Sequence, residues 1–197
     1  MKTLHRIIAV LLLFFIIAHI GNHVAAAFGI KTYNAYLSTV RIIYRHPIVE
    51  MFLIILIGLQ TMTGFNLVVT SFQRAEKKSL ISWLEILSAV VFVLFIVIHL
   101  TAIAVTRFYF EMQTDFYWVA EMFRAGPLQP YIMGFHFLGV VAVTTHASIG
   151  LKYMFEAMGC EGCGHILAVL FILTGLISAA IAVGAYGGVF QPIALGD

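Results

Sequence analysis

The sequence predicts an all-α, polytopic membrane protein with five transmembrane helices, and three observations predict it. Apolar residues make up 62 % of the 197 residues and charged residues only 10 %, with a mean hydropathy of +1.03. That leaves too little polar surface to cover a water-soluble globule. Five apolar stretches, at about 7–28, 48–71, 82–106, 130–155 and 165–189, each reach the roughly 20 residues that cross about 30 Å of hydrocarbon. The breaks between them are short and hold most of the charge. Residues 1–197 therefore read as a single transmembrane domain, with no room for a soluble catalytic domain.

The first span opens with Lys2 and Arg6 and ends at Ala25, Ala26 and Ala27, a pattern that a cleaved secretory signal shares. His19, Asn22 and His23, lying between the apolar core and those alanines, favour a functional helix instead. Lys31, Arg41 and Arg45 mark the first loop, and Arg74, Glu76, Lys77 and Lys78 the second. The third loop, 108–129, is long and aromatic, with Phe108, Tyr109, Phe110, Phe116, Tyr117 and Trp118. Its spacing suggests either a helix lying at the interface or a packed lid. Lysines and arginines are nearly balanced between the two sides, and the positive-inside rule leans towards an inner N-terminus. No low-complexity segment and no phosphate-cradling glycine loop is present, and no nucleic-acid partner is expected.

Four spans carry one polar group each that stands out: His19, Gln60, His99 and His146. Consecutive spans alternate direction, and each residue advances about 1.5 Å. His19 and His99, on the first and third spans, then fall towards the outer side. Gln60 and His146, on the second and fourth, fall towards the inner side. The four groups sort into two pairs at two depths, as two stacked sites in a four-helix core would require.

An intramembrane histidine is costly and is a functional candidate by default. Two neutral imidazoles on facing helices give the bis-histidine ligation of a heme suited to electron transfer. Glu85, Ser88, Phe92 and Phe95 share the stripe of His99, while Gly139, Ala142 and Gly150 share that of His146. Those small residues would either admit a flat macrocycle close to the backbone or simply pack helices together.

Arg6 followed by His19-Ile20-Gly21-Asn22, Glu50 ahead of Gln60-Thr61-Met62-Thr63-Gly64, His99, and His146-Ala147-Ser148-Ile149-Gly150-Leu151 together resemble a known family. It is that of the cytochrome b membrane-anchor subunits of succinate dehydrogenase and fumarate reductase, respiratory complex II, in the single-polypeptide, five-helix form. The motifs are short, and their order, spacing and helix count carry the resemblance over most of the chain. It implies that His19 and His99 ligate a distal heme b and that His146 supplies one ligand to a proximal heme. Gln60 stands where the di-heme members have histidine. A glutamine oxygen is a poor partner for ferrous iron, so the inner heme is expected to be absent, five-coordinate, or ligated by another residue.

His23, His46 and His136 are expected to gather with Glu50 around the outer heme. Reducing a quinone takes protons as well as electrons, and Glu50 resembles the acidic residue that the family places near its quinone site. Cys160, Cys163 and His165 form a C-x-x-C-x-H string that reads as a tight turn, with thiols reduced on an inner side. The expected role is an electron-transfer and quinone-site subunit in a bacterial or archaeal-type cytoplasmic membrane. It would anchor flavoprotein and iron–sulfur partners, which would hold the dicarboxylate chemistry of the tricarboxylic acid cycle. Arg74, Glu76, Lys77 and Lys78 would form part of the docking surface. A stand-alone b-type cytochrome and a heme-free anchor or transporter are the alternative readings.

Overall fold

A computed structural model describes residues 1–73, 79–124 and 126–190. Among the described residues there are seven α-helices and no strand: α1 Lys2–Ala25, α2 Ile30–Tyr44, α3 Pro47–Gln73, α4 Leu80–Ala104, α5 Phe116–Phe123, α6 Gln129–Ala157 and α7 Glu161–Tyr186. Five of them, α1, α3, α4, α6 and α7, are long and apolar enough to cross a membrane, the first, third and fourth extended by short 3-10 or π turns. The chain is thus an all-α protein with five candidate membrane spans. Arg74, Glu76, Lys77 and Lys78 lie outside the described residues, and the docking surface expected there with them.

Local chemistry sets the element boundaries. A 3-10 turn, Ala26–Phe28, ends α1, and Gly29 at φ 116° turns the chain into α2, a conformation open to a residue without Cβ. Pro47 opens α3, where a missing N–H costs nothing. The Ser79 hydroxyl caps α4 by accepting from the Ser82 amide at 3.2 Å, and the Asp115 carboxylate caps α5 by accepting from the Trp118 amide at 3.1 Å.

Two of the expected loops turn out to be structured. The first holds α2, whose Tyr33 and Leu37, one turn apart, are buried. Charged Lys31, Arg41 and Arg45 mask that stripe in the sequence. The third loop holds the short helix α5, packed as a lid: Phe116, Val119, Ala120 and Phe123 are all buried. They join Ala26, Tyr33, Leu37, Ala185 and Tyr186 in one aromatic core that closes one end of the bundle.

The spans themselves keep large side chains outward, as with Phe14, Phe65, Leu94 and Ile177. In lipid, helix association rests on close packing rather than on the hydrophobic effect, so small residues mark the contacts. At Gly175 of α7, an added Cβ would overlap the Thr144 side chain of α6, and at Gly164 it would stand 2.8 Å from the Lys152 carbonyl oxygen. These glycines make α6 and α7 the tightest pair. The α4 helix leans on α6, and α3 leans on α1 through Ile8, Leu12 and Leu56. Gly139 of α6 admits the ring of Phe95 from α4, so the room at that glycine serves helix packing, whereas a Cβ at Gly150 would meet nothing within 4 Å.

Candidate functional site

One histidine group is built on α1, α4 and α6. His19 and His99 face each other with ring centroids 6.0 Å apart and planes at 66°. Each is braced by an aromatic ring one turn earlier on its own helix, Phe15 stacked on His19 at 5.5 Å and Phe95 on His99 at 5.3 Å. Two of the other expected histidines join them. His23 lies 4.9 Å from His19 and His136 lies 6.2 Å from His99, ring centre to ring centre. His136 donates from Nδ1 to the Ile132 carbonyl at 2.9 Å, which fixes its ring, and Phe123 of the lid rests on it at 4.9 Å.

His23 Nδ1 meets the Tyr186 hydroxyl at 2.5 Å, tying the group to α7. Tyr186 stands edge-on to Tyr33 of α2, ring centres 6.2 Å apart, and burial pushes the Tyr33 phenol up to about 12. Polar groups therefore run from the histidine cluster to Tyr33, which packs against Phe116 of the lid. The buried Oδ1 of Asn22 has no hydrogen-bond partner beside it.

His46 does not join the group. It stands exposed where α2 turns into α3, with no ring contact to the other histidines. Glu50, one turn into α3, is held by Arg107: Nη1 bonds Oε1, and Nη2 reaches Oε2 at 3.3 Å. Beside this pair, Arg41, Arg45, Arg107, Phe108, Glu111, Met112 and Gln113 line a cavity of about 440 Å³. Arg41 donates to the Thr114 carbonyl at 2.6 Å and to its hydroxyl at 2.8 Å. Partial desolvation, then the cations of Arg107 and Arg41, push Arg45 below the usual arginine value.

At the other end of the bundle the partner of His146 is a residue that the sequence reading passed over. His5 of α1 faces His146 of α6, with centroids 6.5 Å apart and planes at 84°. Gln60 sits beside this pair, its Nε2 3.1 Å from His5 Nε2, and its buried Oε1 has no hydrogen-bond partner. His5 Nδ1 lies 2.9 Å from the Thr63 hydroxyl and His146 Nδ1 3.3 Å from the Glu85 carbonyl. His5 escapes notice between Lys2 and Arg6, where it looks like part of a charged flank. Its spacing from His19 is the signal: fourteen residues are about 21 Å of helix and fall about 40° short of four full turns, so both rings share one face.

Cys160 and Cys163 form a disulfide, with Cα atoms 5.3 Å apart, where reduced thiols were expected. The turn at Gly159, φ 87°, carries the chain into the first turn of α7 and brings the two residues within bridging distance. His165 is exposed, its Nδ1 donating to the Glu161 carbonyl at 3.0 Å. Among the described residues no three His, Cys, Asp or Glu side chains close on a common metal position.

Fold and site together define a class, that of multi-pass helical membrane proteins with histidines paired between their spans. Beyond that class, comparison with protein-family models, with curated proteins and with solved structures found nothing that matches this chain.

Proposed function

We propose that the chain is a membrane b-type cytochrome that carries electrons between an iron–sulfur partner and membrane quinone, the role of the heme-bearing anchor of succinate dehydrogenase or fumarate reductase. The observation that carries the reading is the pair His19 and His99. With metal–nitrogen bonds of about 2 Å and about 1 Å more to each ring centre, two imidazoles sharing one metal have centroids about 6 Å apart. The pair stands at 6.0 Å. The 66° between the ring planes is compatible with His19 and His99 holding such a group together, because each ring plane needs only to contain its own nitrogen–metal bond. Two protein ligands, rather than three or four, also suit an iron whose remaining positions are filled by a macrocycle.

Heme bound there supplies a one-electron carrier. The chain's own residues do the rest: Phe15 and Phe95 hold the two rings, and the α5 lid keeps water from that end of the bundle. His23, Tyr186 and Tyr33 line up as a polar path along which protons would reach a quinone. Glu50, fixed by Arg107, would set the charge at the rim of that path.

An absorption spectrum of the purified full-length protein tests the proposal. A Soret band with low-spin α and β bands is expected, together with loss of that heme in His99→Ala. A preparation from membranes grown with heme that shows no Soret band would overturn it. Co-purification of a flavoprotein and an iron–sulfur subunit is expected for the anchor role, and isolation of an active cytochrome alone would replace it with a stand-alone oxidoreductase.

A further inference from the structure

The hydrogen bonds of His5 and His146 set which ring nitrogen carries the proton. The Thr63 hydroxyl donates to the Leu59 carbonyl at 2.8 Å, so towards His5 it acts as acceptor and takes the Nδ1 proton. The Glu85 carbonyl, having no proton to give, likewise takes the Nδ1 proton of His146. Each neutral ring therefore carries its lone pair on Nε2. Anchoring of one ring nitrogen to an oxygen while the other faces a metal is the usual second-sphere arrangement for ligating histidines.

The two rings come from different helices, α1 and α6, with centroids 6.5 Å apart, close to the spacing that a shared metal requires. Gln60 occupies the flank of the site. Its amide donates to His5 Nε2 at 3.1 Å, the atom a metal would take, while its carbonyl oxygen stays buried and unpartnered. An amide so placed satisfies the His5 lone pair and leaves the facing His146 lone pair available. Gly64 allows His5 to lie against α3, for a Cβ there would stand 3.3 Å from His5 Cε1.

We infer that His5 and His146 are the axial pair of a second heme, stacked beneath the first along α1, and that Gln60 is a positioning residue beside it rather than a ligand. This rests on the reading of the chain as a b-type cytochrome. The first span then supplies one ligand to each heme, His19 and His5, about 21 Å apart along the helix.

Heme per chain, measured by pyridine hemochrome on the purified full-length protein, with low-temperature paramagnetic resonance to count low-spin centres, tests the assignment. Wild type is expected to hold two hemes and two low-spin signals. His5→Ala and His146→Ala should each remove one heme and the same signal, leaving the one that His99→Ala removes; Gln60→Leu should keep both hemes but shift the low-spin signal that His5→Ala removes, which a residue without a hold on His5 would not do. His5→Gly supplemented with free imidazole should regain the lost signal, which a merely unfolded variant would not do. One heme in wild type, unchanged by His5→Ala but lost in His99→Ala, would overturn the inner site and leave the proposed function standing. Loss of the inner heme in Gln60→Leu but not in His5→Ala would return the ligand to Gln60. No heme in wild type would overturn both.

Discussion

Arg107, at the end of the third span, grips Glu50, near the start of the second, through both terminal guanidinium nitrogens. With side chains 16 % and 30 % exposed, the pair lies between a solvated surface bridge and a buried one. Glu50→Gln strands Arg107 beside Arg41 and Arg45, and about 1–2 kcal/mol of stability should be lost. A double-mutant cycle with Arg107→Met, followed by thermal unfolding in detergent, measures the coupling. Additive effects of the two changes would show that the contact contributes nothing.

Tyr186 ties α7 to the histidines around His19 and His99 through the 2.5 Å contact with His23 Nδ1. Tyr186→Phe keeps the ring in the aromatic core with Phe116 and Phe123 but leaves a buried imidazole nitrogen unpaired. About 1–2 kcal/mol of destabilisation is expected. If the polar chain also serves quinone chemistry, the variant should slow quinone reduction while retaining heme at the His19 and His99 pair. Equal stability of the two proteins would mean that the hydroxyl is replaceable by water.

Tyr33 gives a pH dependence with a definite sign. Burial raises its folded value from 10.0 to about 12, so the folded state disfavours the phenolate. Stability is unaffected below about pH 10 and falls as pH rises towards 12, where the unfolded chain ionises first. Thermal midpoints across that window should decline in wild type and decline less steeply in Tyr33→Phe. Parallel curves would place the titration elsewhere.

How much of this was legible in the sequence depended on whether one residue type carried the signal. The five spans were readable because lipid demands long apolar runs, and the shared depth of His19 and His99 followed from the alternation of span directions, while their facing each other is set by packing. The α2 helix was hidden because its buried stripe, Tyr33 and Leu37, is narrow and its other faces are charged. His5 was hidden for a similar reason: flanking charge made it look interfacial, and pairing by depth put Gln60 opposite His146 because both lie on spans that run the same way. Depth ranks groups along the bundle axis but does not say which helix stands across from which. That is decided by packing, here by Gly64 letting α1 approach α3 and by α6 presenting His146 towards α1.

The α6–α7 contact should be the least tolerant of added volume. A Cβ on Gly175 overlaps Thr144, whose hydroxyl already donates to the Val140 carbonyl at 2.8 Å and is not free to swing aside. Gly175→Val should therefore cost about 2–3 kcal/mol, and Thr144→Ala in the same chain should recover part of it. Failure of the second change to help would mean that the helices separate as rigid bodies rather than clash at one side chain.

The Cys160–Cys163 bridge makes a prediction that separates structure from electron transfer. Neither cysteine should react with a thiol-blocking reagent in the unfolded, unreduced protein, and both should react after reduction. Replacing both by serine opens only a four-residue loop, so by the chain-entropy argument the loss is at most about 2 kcal/mol. Cys160 lies fourteen residues beyond His146, about 21 Å along the chain if helical throughout. Heme content and low-spin signals of the double serine variant should therefore match wild type, because the disulfide staples the turn between α6 and α7 and ligates nothing. A heme loss confined to the signal that His146→Ala removes would instead mean that this staple sets the position of α6 at its histidine.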